Sequence, residues 1–488
     1  MTTVDGRRST PIVDAEIATF GRAYPAYAET HVLDELRTRE YGRLDAQGHV
    51  YLDYAGGGLY GGSQVREHVD QLSAHVFGNP HSDNPTSAAA TALVEEARAA
   101  VLSYFGAAPD EYTVIFTANA TAALKLVGES YPFTPSGSLL LSADNHNSVN
   151  GIREFARARG AATSYVALTA PDLRVDEGQL IGLLDRAGGG DGRLFAYPAQ
   201  SNFTGVQHPL SWIEVAHARG WDVLLDAAAF APTNRLDLSR FHPDFVPLSF
   251  YKMFGYPTGI GCLIVRRSAL AKLRRPWFAG GAVVVATVGG DAYHLAGGEA
   301  GFEDGTVNYL GLPAVTIGLR FLSAIGIDAV HERVRCLTGW LLDSLGALCH
   351  RAGDRLVRFY GPRTTEQRGG TVAFSVINPL GRAVDLRVIE PLAAASNISL
   401  RAGCFCNPGA AEAAFSVAPD VLVNVYKEPE LLPLDLLVAR LGMEGGGAVR
   451  VSLGAVSNVA DVRACVQFVQ SFLDTVPDES NLPPRQHC

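Results

Sequence analysis

Between residues 112 and 265 the chain alternates short apolar runs with stretches of helical spacing. The apolar runs fall at 112–117, 138–142, 164–168, 193–197, 222–225, 245–249 and 261–265. Helical spacing fills 120–128, 150–159, 176–187 and 211–219 between them. Near-continuous apolar runs joined by amphipathic helices predict strands buried on both faces, a mostly parallel seven-stranded sheet between helices. Upstream, the pattern predicts an N-terminal arm over 1–30, a short strand at 49–53 and helices at 63–77 and 88–105. The glycine run over 55–62 predicts a loop whose backbone must approach something closely. Beyond about 310 the rhythm loosens. Helices at 314–325, 329–353 and 385–397 and strands at 356–360, 371–376 and 449–452 predict a smaller α+β unit. The expected division is an arm with part of the small domain at 1–62, a large α/β domain at 63–325, the small domain at 326–476 and a flexible tail at 477–488.

Composition narrows the function classes. The chain has 488 residues, 47% of them hydrophobic and 18% charged, which suits a globular protein with a large core. Its formal net charge of −10 argues against nucleic-acid and anionic-membrane partners. The seven cysteines are an odd number at irregular spacings, and the first residues lack the apolar stretch of a secretory signal. No run reaches the roughly 18 apolar residues of a membrane span. A reducing, cytoplasmic setting with free thiols is expected.

Four segments carry candidate chemistry. Lys252 follows the apolar run 245–249 and is hemmed in by aromatics, glycines and Pro257. At the carboxyl end of a buried strand a lysine either snorkels to the surface or is used covalently as an amine. Asp226 ends another apolar run; it is either a turn or cap residue or an acidic partner for a cofactor's ring nitrogen. The segment 116–124 passes from strand to helix through small residues, with Ala120 and Thr121 at the turn. It is either an ordinary helix start or a phosphate cradle. Residues 401–410 place Cys404 and Cys406 in a glycine- and proline-flanked loop beside Arg401. They are either semi-buried thiols or a reactive thiolate on a mobile loop. A zinc site needs a second ligand pair, and the sequence offers none, so no metal is expected.

Together these stretches resemble the fold-type I, class V pyridoxal phosphate (PLP) enzymes. The resemblance is strongest to cysteine desulfurases, and within them to the desulfurase domain of molybdenum-cofactor sulfurases. It rests on Tyr51-Leu-Asp-Tyr-Ala-Gly, Gly78-Asn-Pro-His-Ser, Leu248-Ser-Phe-Tyr-Lys-Met-Phe-Gly-Tyr-Pro-Thr-Gly, Phe302-Glu-Asp-Gly-Thr and Leu400-Arg-Ala-Gly-Cys-Phe-Cys-Asn-Pro-Gly-Ala, and spans roughly 50–455. It implies that Lys252 holds PLP covalently and moves protons at the substrate Cα. Asp226 would pair with the ring nitrogen, His146 would stack on the ring and assist catalysis, and Asn202 would bond the ring oxygen. Ala120, Thr121 and Ser249 would hold the phosphate, with Tyr251 beside the cofactor. Thr306 would join them from the second subunit of a homodimer. Arg450, assisted by Arg401 and Asn202, would bind the substrate carboxylate. Cys406, chosen over Cys404 from the class pattern Arg-x-Gly-x-x-Cys, would carry a persulfide.

The expected activity is an L-cysteine desulfurase that passes sulfur to an acceptor protein or small molecule. A PLP-dependent aminotransferase, epimerase or carbon–sulfur lyase is the alternative. Several positions depart from the class pattern. Position 122 is alanine rather than an acid, Ala229 replaces a glutamine, and Tyr251 stands where many relatives have histidine. The run Ala55-Gly-Gly-Gly58 is expected to loosen the substrate end. The cofactor-binding C-terminal domain of the long sulfurases is expected to be absent, which would send the sulfur to a separate acceptor.

Overall fold

A computed structural model describes residues 11–186, 190–425, 427 and 432–486. The last residue of the helix expected at 176–187, and the end of the tail including Cys488, lie outside the described residues. The centre of the fold is a seven-stranded sheet. Its strands are β1 (Tyr112–Thr117), β2 (Ser138–Ser142), β3 (Ala162–Val166), β4 (Arg193–Pro198), β5 (Asp222–Asp226), β6 (Phe245–Ser249) and β7 (Gly261–Arg266). They lie in the order β1-β7-β6-β5-β4-β2-β3. β7 runs antiparallel to both neighbours and the rest are parallel.

Alternation along the strands feeds two cores at once. Val114, Phe195, Leu225, Val246 and Ile264 point into the core on one face. Ile115, Leu194, Leu224, Phe245 and Leu263 point into the core on the other. With both faces covered, each interior strand reads as an unbroken apolar run, and the expected strand positions hold to within a residue at β1, β2, β4, β5, β6 and β7. β3 is the exception, beginning two residues before its expected start. It is an edge strand, with Ala162, Ser164 and Tyr165 exposed, so its pattern is weak.

A second sheet of four strands comprises β8 (Val357–Tyr360), β9 (Thr371–Val376), β10 (Arg401–Gly403) and β11 (Ala448–Ser452), in the order β8-β9-β11-β10. Helices Ile327–Ala347 and Val459–Gln470 pack on it. The N-terminal segment joins the same core through Phe20, Leu33, Leu36 and Tyr41. The helix expected to run to 353 ends at Ala347. The helix expected at 150–159 is broken at Gly151 into Asn147–Asn150 and Ile152–Ala158. An antiparallel hairpin, Val283–Thr287 with Ala292–Leu295, was not expected.

The tail expected to be flexible is instead tied down. The Asp385 N–H donates to Glu479 at 2.9 Å, Arg387 donates to the Pro483 carbonyl at 2.6 Å, and Arg485 pairs with Asp385. The polar residues that suggested a free end are the groups that attach it.

The N-terminal segment is bolted to the small sheet by charge as well as apolar contact. Arg37 donates to Asp461 at 2.5 Å and to the Val456 carbonyl at 2.7 Å, and both side chains are buried. Its third partner, Asp45, is exposed and contributes little. Removing one member of a buried pair strands the other charge, at a cost of ~3–5 kcal/mol. Arg37→Met is therefore expected to lower stability to chemical denaturation by about 3 kcal/mol. Adding Asp461→Asn should recover at least half of that loss. An unchanged midpoint in the single variant would contradict this assignment.

Candidate active site

The carboxyl ends of the parallel strands converge on one cavity of about 190 Å³. β1 leads through Asn119 to the helix Ala120–Ser130, β2 to His146 and Ser148, β4 to Gln200 and Asn202, and β5 ends on Asp226. β6 ends on Ser249 and turns at once into the short helix carrying Tyr251 and Lys252. Ala120, Thr121, His146, Asn202, Asp226, Ser249, Tyr251 and Lys252, all singled out from the sequence, line this cavity.

The chain has only four lysines. Lys125, Lys272 and Lys427 are exposed, whereas Lys252 is partly buried with its amine facing the cavity. Among the described residues that amine has no hydrogen bond or ion pair. Desolvation is the main cause that lowers its pKa from the ordinary 10.5; Asp226 opposes the shift and Arg450 adds to it. The snorkelling reading is thereby set aside: this amine is held unpaired and poised to lose its proton. Asp226 is buried and accepts the Ala228 N–H at 3.0 Å.

His146 caps the helix Asn147–Asn150 by accepting the Ser148 N–H on Nδ1 at 3.1 Å, which leaves the proton on Nε2. Its pKa is lowered, first by burial and then by Lys252, which favours the neutral ring. At the start of the helix Ala120–Ser130 the Ala120 N–H donates to Ser249 Oγ at 2.8 Å, and Thr121 and Ser148 share a hydroxyl contact at 2.8 Å. Asn119 caps the helix through the Ala122 N–H. A side chain at Gly261 would meet the Asn119 Cα at 2.6 Å, so glycine lets β7 lie directly against this helix start. Donors and hydroxyls gathered at a helix N-terminus suit a phosphate. With a desolvated amine, a facing carboxylate, a flat neutral ring and this cradle, the residues fit PLP.

The glycine run closes in on the lysine from behind. Gly58 donates to the Tyr251 carbonyl at 2.9 Å, and a side chain there would meet the Lys252 carbonyl at 2.8 Å. At Gly56 it would meet the Asp53 carboxylate at 2.5 Å. The close approach expected of this loop is thus to the backbone of the lysine helix itself. The glycines serve tight packing rather than the loosening expected from them.

Arg401 and Arg450 are not among the residues that line this cavity; strand pairing sets them side by side, and Arg450 reaches its wall at Asn202. Asp53 lies between them, accepting from Arg450 Nη2 at 3.0 Å and Arg401 Nη2 at 2.6 Å. Arg450 also donates to the Asn202 carbonyl at 3.0 Å and lies 4.7 Å over the Phe405 ring. Among the described residues its buried Nε–H has no partner. Burial pulls the Arg450 pKa down against the opposing pull of Asp53, while the hydrogen bond to Asp53 raises that of Arg401. Cys404 is buried and Cys406 exposed, on a loop tied to Asn202 through the Phe405 carbonyl at 2.8 Å. Thr306 is not brought to this cavity. It lines a separate hollow of about 270 Å³ with Asp304 and Asn308. Among the described residues no group of three or more histidine, cysteine or acidic side chains could hold a metal.

Sequence reasoning missed Asp53, Ser148, Gln200 and Asn407 as site residues. Asp53 lay in plain view in Tyr51-Leu-Asp, but its partners Arg401 and Arg450 are 348 and 397 positions away. Asn407 follows Cys406 directly and reads locally as a cap.

A lysine-centred site at the carboxyl edge of this sheet defines the class, and the chain belongs to the class-V aminotransferase family, whose profile matches residues 50–465. Among curated proteins it is similar to the molybdenum cofactor sulfurase of Solanum lycopersicum, 37% identical over 96% of this chain and 60% of that protein. It is also similar to that of Bos taurus, 35% identical over 93% and 54%. The chain thus spans little more than half the length of these relatives. Among solved structures, a cysteine desulfurase from Thermococcus onnurineus superposes with a TM-score of 0.73 at 22% identity, covering 90% of this chain and 98% of that one. One from Escherichia coli gives 0.71 at 24%, with the same coverage. At these identities the shared property is the fold.

The desolvated amine makes a direct prediction. In protein stripped of any bound cofactor, Lys252 should react with trinitrobenzenesulfonate with a half-maximal rate below pH 10.5. Asp226→Asn should move that midpoint lower still, because the carboxylate favours the charged amine. A midpoint at or above 10.5, or an upward shift in the variant, would contradict the site's electrostatics.

Proposed function

We propose that this chain is a PLP-dependent L-cysteine desulfurase that leaves the sulfur as a persulfide on Cys406 and passes it to an acceptor protein or small molecule. The observation that carries this reading is one cavity faced by Lys252 and Asp226, with the Cys406 loop bonded to Asn202 at its rim. When bound, PLP supplies an electron sink for charge developing at the substrate Cα.

The chain's own residues do the rest. Arg450 holds the substrate carboxylate, with Arg401 beside it. Lys252, its amine readily deprotonated, removes and returns the proton at Cα. Asp226 would keep the ring nitrogen protonated, His146 would stack on the ring, and Asn202 would hold the ring oxygen. Ala120, Thr121 and Ser249 would hold the phosphate, with Tyr251 beside them. The Cys406 thiolate attacks the substrate sulfur: an S–S bond forms, the Cβ–S bond breaks, and its electron pair stays with carbon. The proton given up by the Cys406 thiol is balanced by one gained at Cβ, so cysteine becomes alanine without an external oxidant or reductant.

We further read the working unit as a homodimer. Thr306 lies away from its own chain's lysine, and the hairpin at 283–295 exposes Val284, Val285, Val288 and Tyr293. An apolar edge of this kind suits a second copy, which would bring its Thr306 to the phosphate. Thiol chemistry at Cys406 fits the reducing cytoplasm.

Incubation with L-cysteine is expected to yield alanine and one added sulfur atom on Cys406 by peptide mass spectrometry. Cys406→Ser should lose alanine formation by at least ~100-fold, and Cys404→Ser should retain most of it. No alanine from the wild type would overturn the proposal. Undiminished turnover in both serine variants would instead mark a carbon–sulfur lyase.

A further inference from the structure

Phe405 and Cys406 both adopt left-handed backbone conformations, with φ of +56° and +53°. Two consecutive non-glycine residues in that region persist only where their surroundings fix them. Here the fixing groups come from the cavity walls. Asn202 Nδ2 donates to the Phe405 carbonyl at 2.8 Å, and the Asn147 N–H donates to the Cys406 carbonyl at 2.7 Å. Asn407, with no exposed surface, donates Nδ2 to the Asp144 carbonyl at 2.7 Å and to Asn202 Oδ1 at 2.9 Å. Its own Oδ1 accepts the Ala410 N–H at 3.2 Å, capping the next helix. Asp144 is anchored in turn: its buried carboxylate meets His208 at 2.8 Å, and His208 stacks on Trp212. The Asn407 side chain therefore joins the thiol-bearing loop to two segments that also face Lys252, the one through His146 and the one through Asn202.

We propose that Asn407 is a positioning residue that clamps the strained Cys406 loop to the walls of the lysine cavity, holding the thiol in one pose at its rim. Asn202 belongs to both the cavity and the clamp, so the hold on the loop depends on what that amide meets inside. The role in sulfur transfer rests on the desulfurase reading; the clamp itself does not.

Asn407→Asp separates the two functions of the side chain, keeping an oxygen for the Ala410 N–H but losing both Nδ2 donations. In the full chain, hydrogen–deuterium exchange of the amides at 403–407 is expected to quicken about tenfold. For alanine release, kcat should fall about tenfold while KM for L-cysteine stays within about twofold. The absorbance change on adding L-cysteine should persist. Unchanged loop exchange, or a raised KM with unchanged kcat, would overturn the proposal. Asn202→Asp, which removes the donor to Phe405, is read by exchange alone and decides the matter if Asn407→Asp does not fold. If the wild type makes no alanine, the desulfurase reading fails while the exchange measurements still test the clamp.

Discussion

The site is organised around the desolvation of a single amine. Lys252 is partly buried, desolvation lowers the pKa of its amine and, among the described residues, it makes no ion pair, although Asp226 faces the same cavity. A buried cation without a partner is costly, and the cost is relieved by giving up the proton or by covalent use. The sheet creates this condition: β6 delivers the lysine at its carboxyl end, β5 delivers the carboxylate beside it, and the glycine loop at 56–58 seals the back. The two cores on either face of the sheet hold these strand ends in place and so fix the amine's surroundings.

The second organising feature is the junction of the two sheets. Arg450 on β11 reaches across to the Asn202 carbonyl at the end of β4 and packs over Phe405. Asp53 holds Arg450 and Arg401 together, so the N-terminal segment ties into the junction of the two sheets. Phe203, Phe405, Ala410 and Ala448 form a small apolar cluster at this junction. The cysteine loop is therefore neither a free lid nor part of the core. It is left-handed backbone held in place by side-chain amides.

Much of this was legible in the sequence because buried parallel strands leave unbroken apolar runs. Six strands of the large sheet, and the residues that close them, were placed on that basis alone. What escaped has physical causes. The edge strand Ala162–Val166 and the hairpin at 283–295 are exposed, so their patterns carry little signal. The strand Arg401–Gly403 reads as loop because it is only three residues long, opens on an arginine and ends on glycine. Asp53 could not be recognised as the counter-ion of Arg401 and Arg450 because that contact exists only after folding. Thr306 illustrates the limit of a single chain: its expected partner is not in its own cavity.

The most direct test of the central claim is to reduce the protein as purified with borohydride and map the modified peptide. Reduction makes any lysine–cofactor link permanent, and with only four lysines the assignment is unambiguous. A pyridoxyl group on Lys252, absent from Lys252→Ala, is the predicted result. Attachment at Lys125, Lys272 or Lys427, or no modification in protein reconstituted with PLP, would contradict the account.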